Sequence, residues 1–359
     1  MHLRRLWLAD FRNYTTADIT PAPDGLTVVR GDNGEGKTNL LEAVGFLATL
    51  SSFRGVPNEA LVRQGADRGV VRAEAAREGR ELLLEVEIPS AGRVRAQVNR
   101  QPLRRAAELL GALRTSVFSP DDLVLVKGGP ADRRRYLDDL LVAVHLRNDA
   151  LRGDVEKILR QRNTLLKQCG GRLDSAAAAT LDVWDTQLAR AGESLASARE
   201  DLVVRLQPEL AKAYDQLAGG PADVGASYVR SWRDELEGAL AASRIDDVRR
   251  GVTLVGPHRD ELTLTIGGLP ARTHASQGEQ RSLTLALRLA GHRTVAEAAG
   301  SPPVLLLDDV FSELDPDRSD ALLAHLPAGQ ALLTTAGALP AGARPDVELR
   351  VVAGKVLSA

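Results

Sequence analysis

One eight-residue segment near the amino end limits what this chain can fold into. Residues 31–38 read Gly-Asp-Asn-Gly-Glu-Gly-Lys-Thr and match the pattern G-x-x-x-x-G-K-[ST]. The β-branched apolar run 26–29 precedes the segment, and residues 39–47 follow it with apolar side chains at helical spacing. A strand, a glycine-rich loop and a helix in this order are typical of a nucleotide-binding α/β fold. The loop N–H groups and the amino end of the helix can then surround a phosphate.

The same segment predicts which residues bind ATP. Glycines let the backbone approach the phosphates where a side chain would collide. Lys37 can reach the β- and γ-phosphates, and the Thr38 hydroxyl can bind Mg²⁺. The expected loop contacts to ATP are Gly31, Asp32, Asn33, Gly34, Glu35, Gly36, Lys37 and Thr38. The alternative is a plain glycine-rich turn, which the strand and helix on either side argue against.

A second segment supplies carboxylates for the same site. Residues 304–309 read Val-Leu-Leu-Leu-Asp-Asp, which is typical of a buried parallel strand ending in acidic residues. We expect Asp308 to hold Mg²⁺ and Asp309 to orient the attacking water or act as a general base. An apolar run that ends in aspartate is common, and only its pairing with a P-loop makes it informative.

A third segment, Ser276-Gln277-Gly278-Glu279-Gln280, precedes an amphipathic run that reaches Ala299. The Ser-x-x-Glu spacing matches a capping box, so a helix is expected to begin here. We predict further strands within 70–98 and at 252–255, 262–266 and 331–335. Helices are expected through 131–217, with a break at 170–171, and again at 232–250 and 279–299.

The order of these motifs resembles the ABC-type ATPase heads of the SMC and RecF group. Seven strings carry the resemblance: LADFRNY (8–14), GDNGEGKTNLLE (31–42), FSPDD (118–122), KGGPADRRRYLD (127–138), GPHRDEL (256–262), SQGEQR (276–281) and LLLDDVFSELD (305–315). The P-loop and the acidic strand identify only the superfamily. GPHRD, KGGPxxRRRYLD and LDDVFSELD point to the RecF family within the group.

The resemblance implies further roles for individual residues. In this class the signature serine and helix of one subunit cap the γ-phosphate that the other subunit holds. That implies ATP contacts by Ser276, Gly278 and Gln280, with Ser276 taking part in catalysis. It also implies that Ser312 and Asp315 form a D-loop at the dimer interface. A helix cap at Ser276 and a turn before Pro316 at a helix start are the simpler interpretations, and they stay open.

The resemblance also implies a function and partners. It implies an ATP-induced homodimer that clamps double-stranded DNA and single-strand/double-strand junctions, and a weak ATPase that times release. The implied process is recombinational repair and replication restart, with RecR as partner and, through it, RecO and loading of RecA. Two other functions stay open: an SMC-like tethering ATPase, which would need long coiled coils, and the ATPase subunit of an ABC transporter.

Four features depart from the wider ABC pattern. The signature reads SQGEQ where LSGGQ is usual, and the second carboxylate is Asp309 where a longer glutamate is usual. Thr334-Thr335 stand where many ABC proteins carry a switch histidine, and residues 118–122 contain no Q-loop glutamine. We expect each change to weaken hydrolysis more than ATP binding.

Arginine dominates the basic residues, with 40 arginines against six lysines. Arginine suits bidentate contacts to phosphate, although a GC-rich genome also favours it. The net charge of −2 provides no global basic field. Candidate DNA contacts are Arg104, Arg105, Arg133, Arg134 and Arg135, and solvated helix faces are the alternative. His258, in GPHRD, is either structural or close to nucleotide or an interface.

The expected fold class is α/β, an ABC-type P-loop ATPase head with a mixed-sheet lobe and a helical second lobe, without a long coiled coil. We expect residues 1–130 and 251–359 to form the ATPase lobe, and residues 131–250 the helical lobe. One cysteine, Cys169, excludes a disulfide within the chain. No apolar run suggests a signal peptide or a membrane span, so a cytoplasmic, nucleoid-associated protein is expected.

Overall fold

The computed structural model describes residues 1–77, 79–218, 220 and 222–358. Two compact units can be separated, and each is described by itself. Unit 1 consists of Met1–Asp122, Ala213–Pro221 and Thr284–Ala359, and unit 2 consists of Leu123–Lys212 and Ala222–Leu283. These limits differ from the expected ones, because residues 251–283 group with the helical part of the chain and not with the P-loop.

The described residues form both strands and helices, and the α-helices contain more residues than the strands. The strands are β1 His2–Phe11, β2 Tyr14–Ile19, β3 Gly25–Arg30, β4 Arg68–Arg77, β5 Arg80–Pro89, β6 Arg95–Val98, β7 Gln101–Pro102, β8 Thr115–Phe118, β9 Val224–Val229, β10 Glu261–Ile266, β11 Leu269–Pro270, β12 Val304–Asp308, β13 Gln330–Thr335, β14 Val347–Val352 and β15 Lys355–Ser358. The α-helices are α1 Lys37–Thr49, α2 Val124–Lys127, α3 Pro130–Val144, α4 Arg147–Gln168, α5 Ser175–Ala218, α6 Leu236–Arg250, α7 Ala271–His274, α8 Gln277–Ala299 and α9 Pro316–Ala324.

Unit 1 contains two six-stranded sheets. One is antiparallel, in the order β2-β1-β4-β5-β6-β7. The other has the order β15-β14-β3-β13-β12-β8, and all its pairs are parallel except the β14–β15 hairpin. Helix α1 contacts strands of both sheets, and its Leu40, Leu41, Phe46 and Leu47 are fully buried. The apolar residues that predicted α1 are therefore those of a helix that packs between two sheets.

The acidic strand is confirmed as a buried parallel strand. Every residue of β12 is buried, and β12 lies between β8 and β13 in the parallel sheet. Strand β13 is also buried along its whole length. A short apolar run bounded by prolines and aspartates is what a strand covered on both faces requires.

Unit 2 is largely helical but also contains a small antiparallel sheet, β11-β10-β9. No strand was predicted between the expected helices 131–217 and 232–250, where β9 pairs with β10 from Val224↔Ile266 to Val229↔Glu261. The expected strand at 252–255 is wrong. There the backbone N–H of Thr253 donates to Asn163 Oδ1 and that of Leu254 to Asp247 Oδ1, so side chains replace a neighbouring strand as acceptors.

The described part of the chain contains no helix that is both long and apolar enough to cross a membrane. The longest helix, α5, has 44 residues and contains Pro208. Within the described residues there is no second helix of that length to make the long coiled coil of a tethering ATPase.

Candidate nucleotide site

The carboxyl ends of four parallel strands meet at one edge of the second sheet in unit 1. In the register of the sheet, Thr335 lies beside Arg30, Thr334 beside Asp308, and Phe118 beside Leu307. The P-loop follows β3 at this edge. In open parallel sheets ligands bind outside the carboxyl ends of the strands, so this edge is the candidate site.

The P-loop has the backbone conformation that its glycines predict. Gly34 and Gly36 have φ values of 86° and 114°, in the left-handed region that favours glycine. A Cβ at Gly36 would lie 2.5 Å from Nδ2 of Asn13. Asn13 Nδ2 donates to the Glu35 carbonyl at 2.8 Å, and the Tyr14 hydroxyl donates to the Gly36 carbonyl at 3.0 Å. The string LADFRNY, whose role the motifs alone did not reveal, therefore supports the loop from one side.

Lys37 begins α1 with its side chain held inside the loop. It is 7% exposed, and its Nζ donates to the Asp32 carbonyl at 2.8 Å. Gly36 precedes the helix without any side-chain cap. The first N–H groups of a helix have no acceptor within it, so they and the lysine ammonium can meet a phosphate together.

Asp308 joins three segments that are far apart in the chain. Its Oδ1 accepts hydrogen bonds from Thr38 Oγ1 at 2.8 Å and from Thr334 Oγ1 at 2.7 Å. Burial raises the pKa of the Asp308 carboxyl, and the two hydroxyl donors and the positive charge of Arg54 act in the opposite direction. The contact between P-loop and acidic strand that the motifs predicted is therefore present.

The donors at this point fit Mg²⁺. Thr38 and Asp308 present oxygen atoms, which this ion prefers, and it commonly takes only one or two protein ligands together with phosphates and water. The described residues contain no group of three or more His, Cys, Asp or Glu side chains that could hold a metal by themselves.

Asp309 has an unusual backbone conformation. Its φ is 47°, in the left-handed region that a non-glycine residue seldom adopts. Its N–H donates to both the carbonyl and the hydroxyl of Thr334, at 3.2 and 3.0 Å. Its side chain is half-buried, and Asp309 directly follows Asp308 in the chain.

A buried ion pair behind the P-loop was missed by the motif reading. Arg12 Nε and Nη2 each donate to the carboxylate of Glu42 at 2.7 Å, and Ser52 Oγ donates to the same carboxylate at 2.5 Å. Glu42 is fully buried on α1. The only signal in the sequence was an acidic residue on the apolar face of a predicted helix.

The segment FSPDD follows β8 at the same sheet edge, where a Q-loop would lie. Asp122 is buried, accepts from the Ser119 N–H at 2.8 Å and forms an ion pair with Arg288 of α8. The segment is therefore attached to the helix that follows the signature by a charged contact.

The signature segment in unit 2 forms the predicted capping box. The Ser276 N–H donates to Glu279 Oε2 at 2.7 Å, and the Glu279 N–H donates to Ser276 Oγ at 3.3 Å. Ser276 is exposed. Gln280, an expected ATP contact, is buried instead and donates to the carbonyls of Ala271 and Arg272 at 3.1 and 3.2 Å. Its side chain holds the turn before the helix, and Gly278 lies in the first helical turn.

The D-loop candidates lie after β12. Ser312 is exposed and donates to the Asp309 carbonyl at 2.8 Å. Asp315 caps α9, accepting from the Arg318 N–H at 2.9 Å, and Pro316 is the first helical residue. The structural interpretation of this turn is therefore confirmed, and both residues remain exposed for another role.

The candidate DNA contacts differ sharply in exposure. Arg133 is buried, donates with both Nε and Nη2 to Glu261 at 2.8 and 2.9 Å, and also donates to two carbonyls of its own unit. It is therefore wrong as a DNA candidate, because its guanidinium is already satisfied. Arg134 is half-buried and donates to the Asp260 carbonyl at 2.8 Å. Three candidates are exposed, namely Arg104, Arg105 and Arg135.

The two strings KGGPADRRRYLD and GPHRDEL meet inside unit 2. Besides the Arg133–Glu261 pair, buried Arg199 bridges them, donating to Asp138 at 2.8 and 2.9 Å and to the Pro257 carbonyl at 2.7 Å. His258 Nε2 lies 3.0 Å from the Thr253 carbonyl, and burial lowers the pKa of His258 to about 4. These strings therefore build the interior of unit 2, and His258 belongs to that interior.

Comparisons with known proteins agree with this geometry. The family model of the RecF/RecN/SMC N terminal domain matches residues 2–332. The chain is 46% identical to the DNA replication and repair protein RecF of Streptomyces avermitilis, over 94% of this chain and 93% of that protein. It is 44% identical to the protein of the same name from Kineococcus radiotolerans, over 98% and 97%.

Solved structures are similar over nearly the whole chain. A structure described as the recombination mediator protein RecF-ATP in the RecFOR pathway has a TM-score of 0.91 at 28% identity, covering 100% of this chain and 97% of that one. The Smc head domain of Pyrococcus furiosus, bound to a domain of ScpA, has a TM-score of 0.58 at 16% identity, covering 100% and 96%. The second likeness shows the fold alone.

Proposed function

The chain belongs to the RecF family of the RecF/RecN/SMC group, and we propose that it is an ATP-switched dimer that holds DNA without sequence preference. One observation carries the proposal. The Thr38 hydroxyl of the P-loop donates to Asp308 of the acidic strand at 2.8 Å, across 270 positions of sequence. That contact supports an ATP site already assembled within unit 1.

The chain's own residues divide the ATP chemistry among them. The Lys37 ammonium and the amino end of α1 bind the β- and γ-phosphates. Mg²⁺, when bound through Thr38 and Asp308, neutralises charge on the phosphate oxygens. Asp309 orients the attacking water and accepts its proton. Because aspartate is one methylene shorter than the usual glutamate, we infer slow hydrolysis, which suits a timer for release.

The second half of each ATP site comes from the partner copy. Ser276 is exposed at the amino end of the 23-residue helix α8, where a partner's γ-phosphate can meet its hydroxyl and the helix N–H groups. Ser312 and Asp315 are exposed at the turn after β12, which supports a D-loop role for them at the dimer interface. Buried Gln280 supports the signature turn from within its own chain.

DNA is held through phosphates. Arg104, Arg105 and Arg135 are exposed, and arginine contacts to the backbone supply affinity without sequence preference. The solved relative is described as a recombination mediator in the RecFOR pathway, which supports RecR as a partner, with RecO and loading of RecA downstream. The preferred DNA is double-stranded or a single-strand/double-strand junction.

Ser276→Arg tests the composite site. The bulky side chain would lie against the partner's nucleotide, so ATP-induced dimerisation and hydrolysis should fail, while ATP still binds the unchanged P-loop of the monomer. Sedimentation with and without ATP and duplex DNA measures the first effect. Ser276→Ala removes the hydroxyl and with it the cap, at about 1 kcal/mol of stability, without adding bulk, so it separates loss of the hydroxyl from obstruction by the arginine.

A mixture adds a second check. In a dimer of Ser276→Arg with Lys37→Met, the intact signature of the Lys37→Met chain can cap ATP in the other chain, so at most one site works. If Ser276→Arg dimerises with ATP like the parent, the composite site is refuted and Ser276 is only a helix cap.

A further inference from the structure

The Thr334 hydroxyl lies between the two acidic residues of the site. Thr334 is fully buried near the end of β13. Its Oγ1 donates to Asp308 Oδ1 at 2.7 Å and accepts from the Asp309 N–H at 3.0 Å. A hydroxyl has a single proton, so donating to Asp308 leaves its lone pairs for Asp309. One side chain thus touches the carboxylate of one acidic residue and the backbone of the next.

These contacts hold a conformation that the chain would not adopt alone. A left-handed backbone costs a non-glycine residue about 1 kcal/mol or more, and the φ of Asp309 is 47°. Both acceptors of the Asp309 N–H, the carbonyl and the hydroxyl, belong to Thr334. The direction in which the Asp309 side chain leaves the strand therefore depends on Thr334.

Asp308 depends on the same hydroxyl. Its Oδ1 receives one hydrogen bond from the P-loop, through Thr38, and one from β13, through Thr334. Removing either donor leaves a buried carboxylate oxygen with less support and more rotational freedom. Mutating a group that orients a metal-binding side chain in this way typically costs about 10- to 100-fold in metal affinity or activity.

We propose that Thr334 is a positioning residue that holds the Asp308 carboxylate and the Asp309 side chain in a fixed relation for ATP hydrolysis. The inference rests on the proposed ATP function and adds to it a residue that does not touch the reacting atoms. Its neighbour has a different task, because Thr335 Oγ1 donates to the Gly337 carbonyl at 3.3 Å and accepts from the Gly337 N–H at 3.1 Å. Thr335 therefore closes a local turn.

Thr334→Val is the direct test, since valine keeps the shape and the strand carbonyl while removing the hydroxyl. We expect kcat to fall about tenfold or more, with the KM for ATP changed by less than about threefold. The Mg²⁺ concentration that half-saturates binding of a fluorescent ATP analogue should rise about tenfold, which is a readout independent of turnover. Thr334→Ser should restore both values. Thr294→Val is the matched control, because it removes a buried hydroxyl that only donates to the Ala290 carbonyl of α8 at 2.9 Å, and it should leave both values as in the parent.

A merely structural role would give a different result. It would lower the thermal unfolding midpoint of Thr334→Val without moving the Mg²⁺ dependence, and that outcome overturns the inference. If Thr334→Val does not fold, Thr334→Ser and Thr334→Ala can be compared instead, because these two variants differ by one hydroxyl. If the parent protein hydrolyses ATP and Thr334→Val hydrolyses it equally fast, this inference alone is refuted. If the parent protein neither binds nor hydrolyses ATP, the proposed function is refuted as well.

Discussion

Three buried charges, one in unit 2 and two at the nucleotide site of unit 1, are partnered in different ways. In unit 2 the fully buried Arg162 donates to Asp185 and to Asp247, both at 2.7 Å. In unit 1 the buried Asp308 accepts from two hydroxyls, and Lys37 donates to a backbone carbonyl. Burial raises the pKa of both Asp247 and Asp308, so the direction of the shift does not separate the two regions. The partners do.

The difference shows how to distinguish a structural charge from a functional one. A buried charge that its own chain neutralises is part of the packing, and removing one partner leaves the other uncompensated. A buried charge satisfied only by neutral dipoles is still able to meet an ion or a phosphate. By this criterion Arg133 and Arg162 belong to the interior of unit 2, and Lys37 and Asp308 belong to a ligand site.

The largest effect should follow from breaking the Arg162 cluster. Arg162→Leu leaves the buried Asp247 carboxylate without its ion-pair partner and Asp185 with Arg244 alone, so it should lower the free energy of unfolding by about 3–5 kcal/mol. Urea unfolding followed by circular dichroism measures the change. Arg160→Leu, at an exposed position on the same helix α4, is the control and should stay within about 0.5 kcal/mol of the parent. Equal effects of the two changes would remove the structural reading of Arg162.

At the P-loop we expect a large loss of ATP affinity with little change in stability. Lys37→Met removes a charged hydrogen-bond donor to the phosphates, worth about 2–3 kcal/mol, so ATP affinity should fall roughly 30- to 150-fold. ATP-dependent DNA binding should be lost, while the unfolding curve keeps its shape. Calorimetric titration with ATP supplies the affinity. Lys355→Met, exposed on β15, is the matched control. Unchanged nucleotide affinity in Lys37→Met would exclude the P-loop assignment.

A smaller and more specific change is expected at Asp309. Asp309→Asn should keep ATP binding but slow hydrolysis about tenfold or more, which corresponds to about 1.4 kcal/mol of barrier. The dimer on DNA should then last longer, as a dissociation rate on duplex DNA would show. Asp317→Asn on α9 is an exposed control. Normal turnover in Asp309→Asn would remove that residue from the mechanism and leave the site for binding only.

The smallest effect concerns a buried histidine in unit 1. His292 is 2% exposed, its two ring nitrogens have no hydrogen-bond partner in the described part of the chain, and burial lowers its pKa to about 4. In the unfolded chain the pKa is about 6.5, so the folded state binds fewer protons. Its neutral form stabilises the fold fully above pH 6.5, and this stability is lost as the pH falls towards 4.

That shift predicts a loss of about 1 kcal/mol at pH 5.5 relative to pH 7.5 from His292 alone. Urea unfolding at the two pH values measures this difference in unfolding free energy. In His292→Leu the difference should be smaller by about 1 kcal/mol. His258 in unit 2, whose pKa burial also lowers to about 4, has an acceptor in the Thr253 carbonyl. An unchanged pH dependence in His292→Leu would mean that the ring is not buried in its neutral form.

The nucleotide motifs could be predicted because each is local. A P-loop needs its glycines, lysine and threonine within eight positions, and a buried strand shows itself as an apolar run, as Val304–Asp308 does. The capping box at Ser276 is local too, and it formed as expected. Strand β9 and residues 252–255 were missed or misread because their state depends on distant partners, β10 for one and Asn163 with Asp247 for the other.

The amino-acid sequence alone determined that this chain has a P-loop ATPase fold of the RecF type, and which residues carry its phosphate and acidic motifs. Only the tertiary structure decided which charges are free for a ligand. Arg133 meets Glu261 across 128 positions, and Thr38 meets Asp308 across 270, so neither pairing can be read from neighbouring residues. A motif specifies the chemical groups, but burial and partners decide whether a group is neutralised inside its own unit or remains available for a ligand.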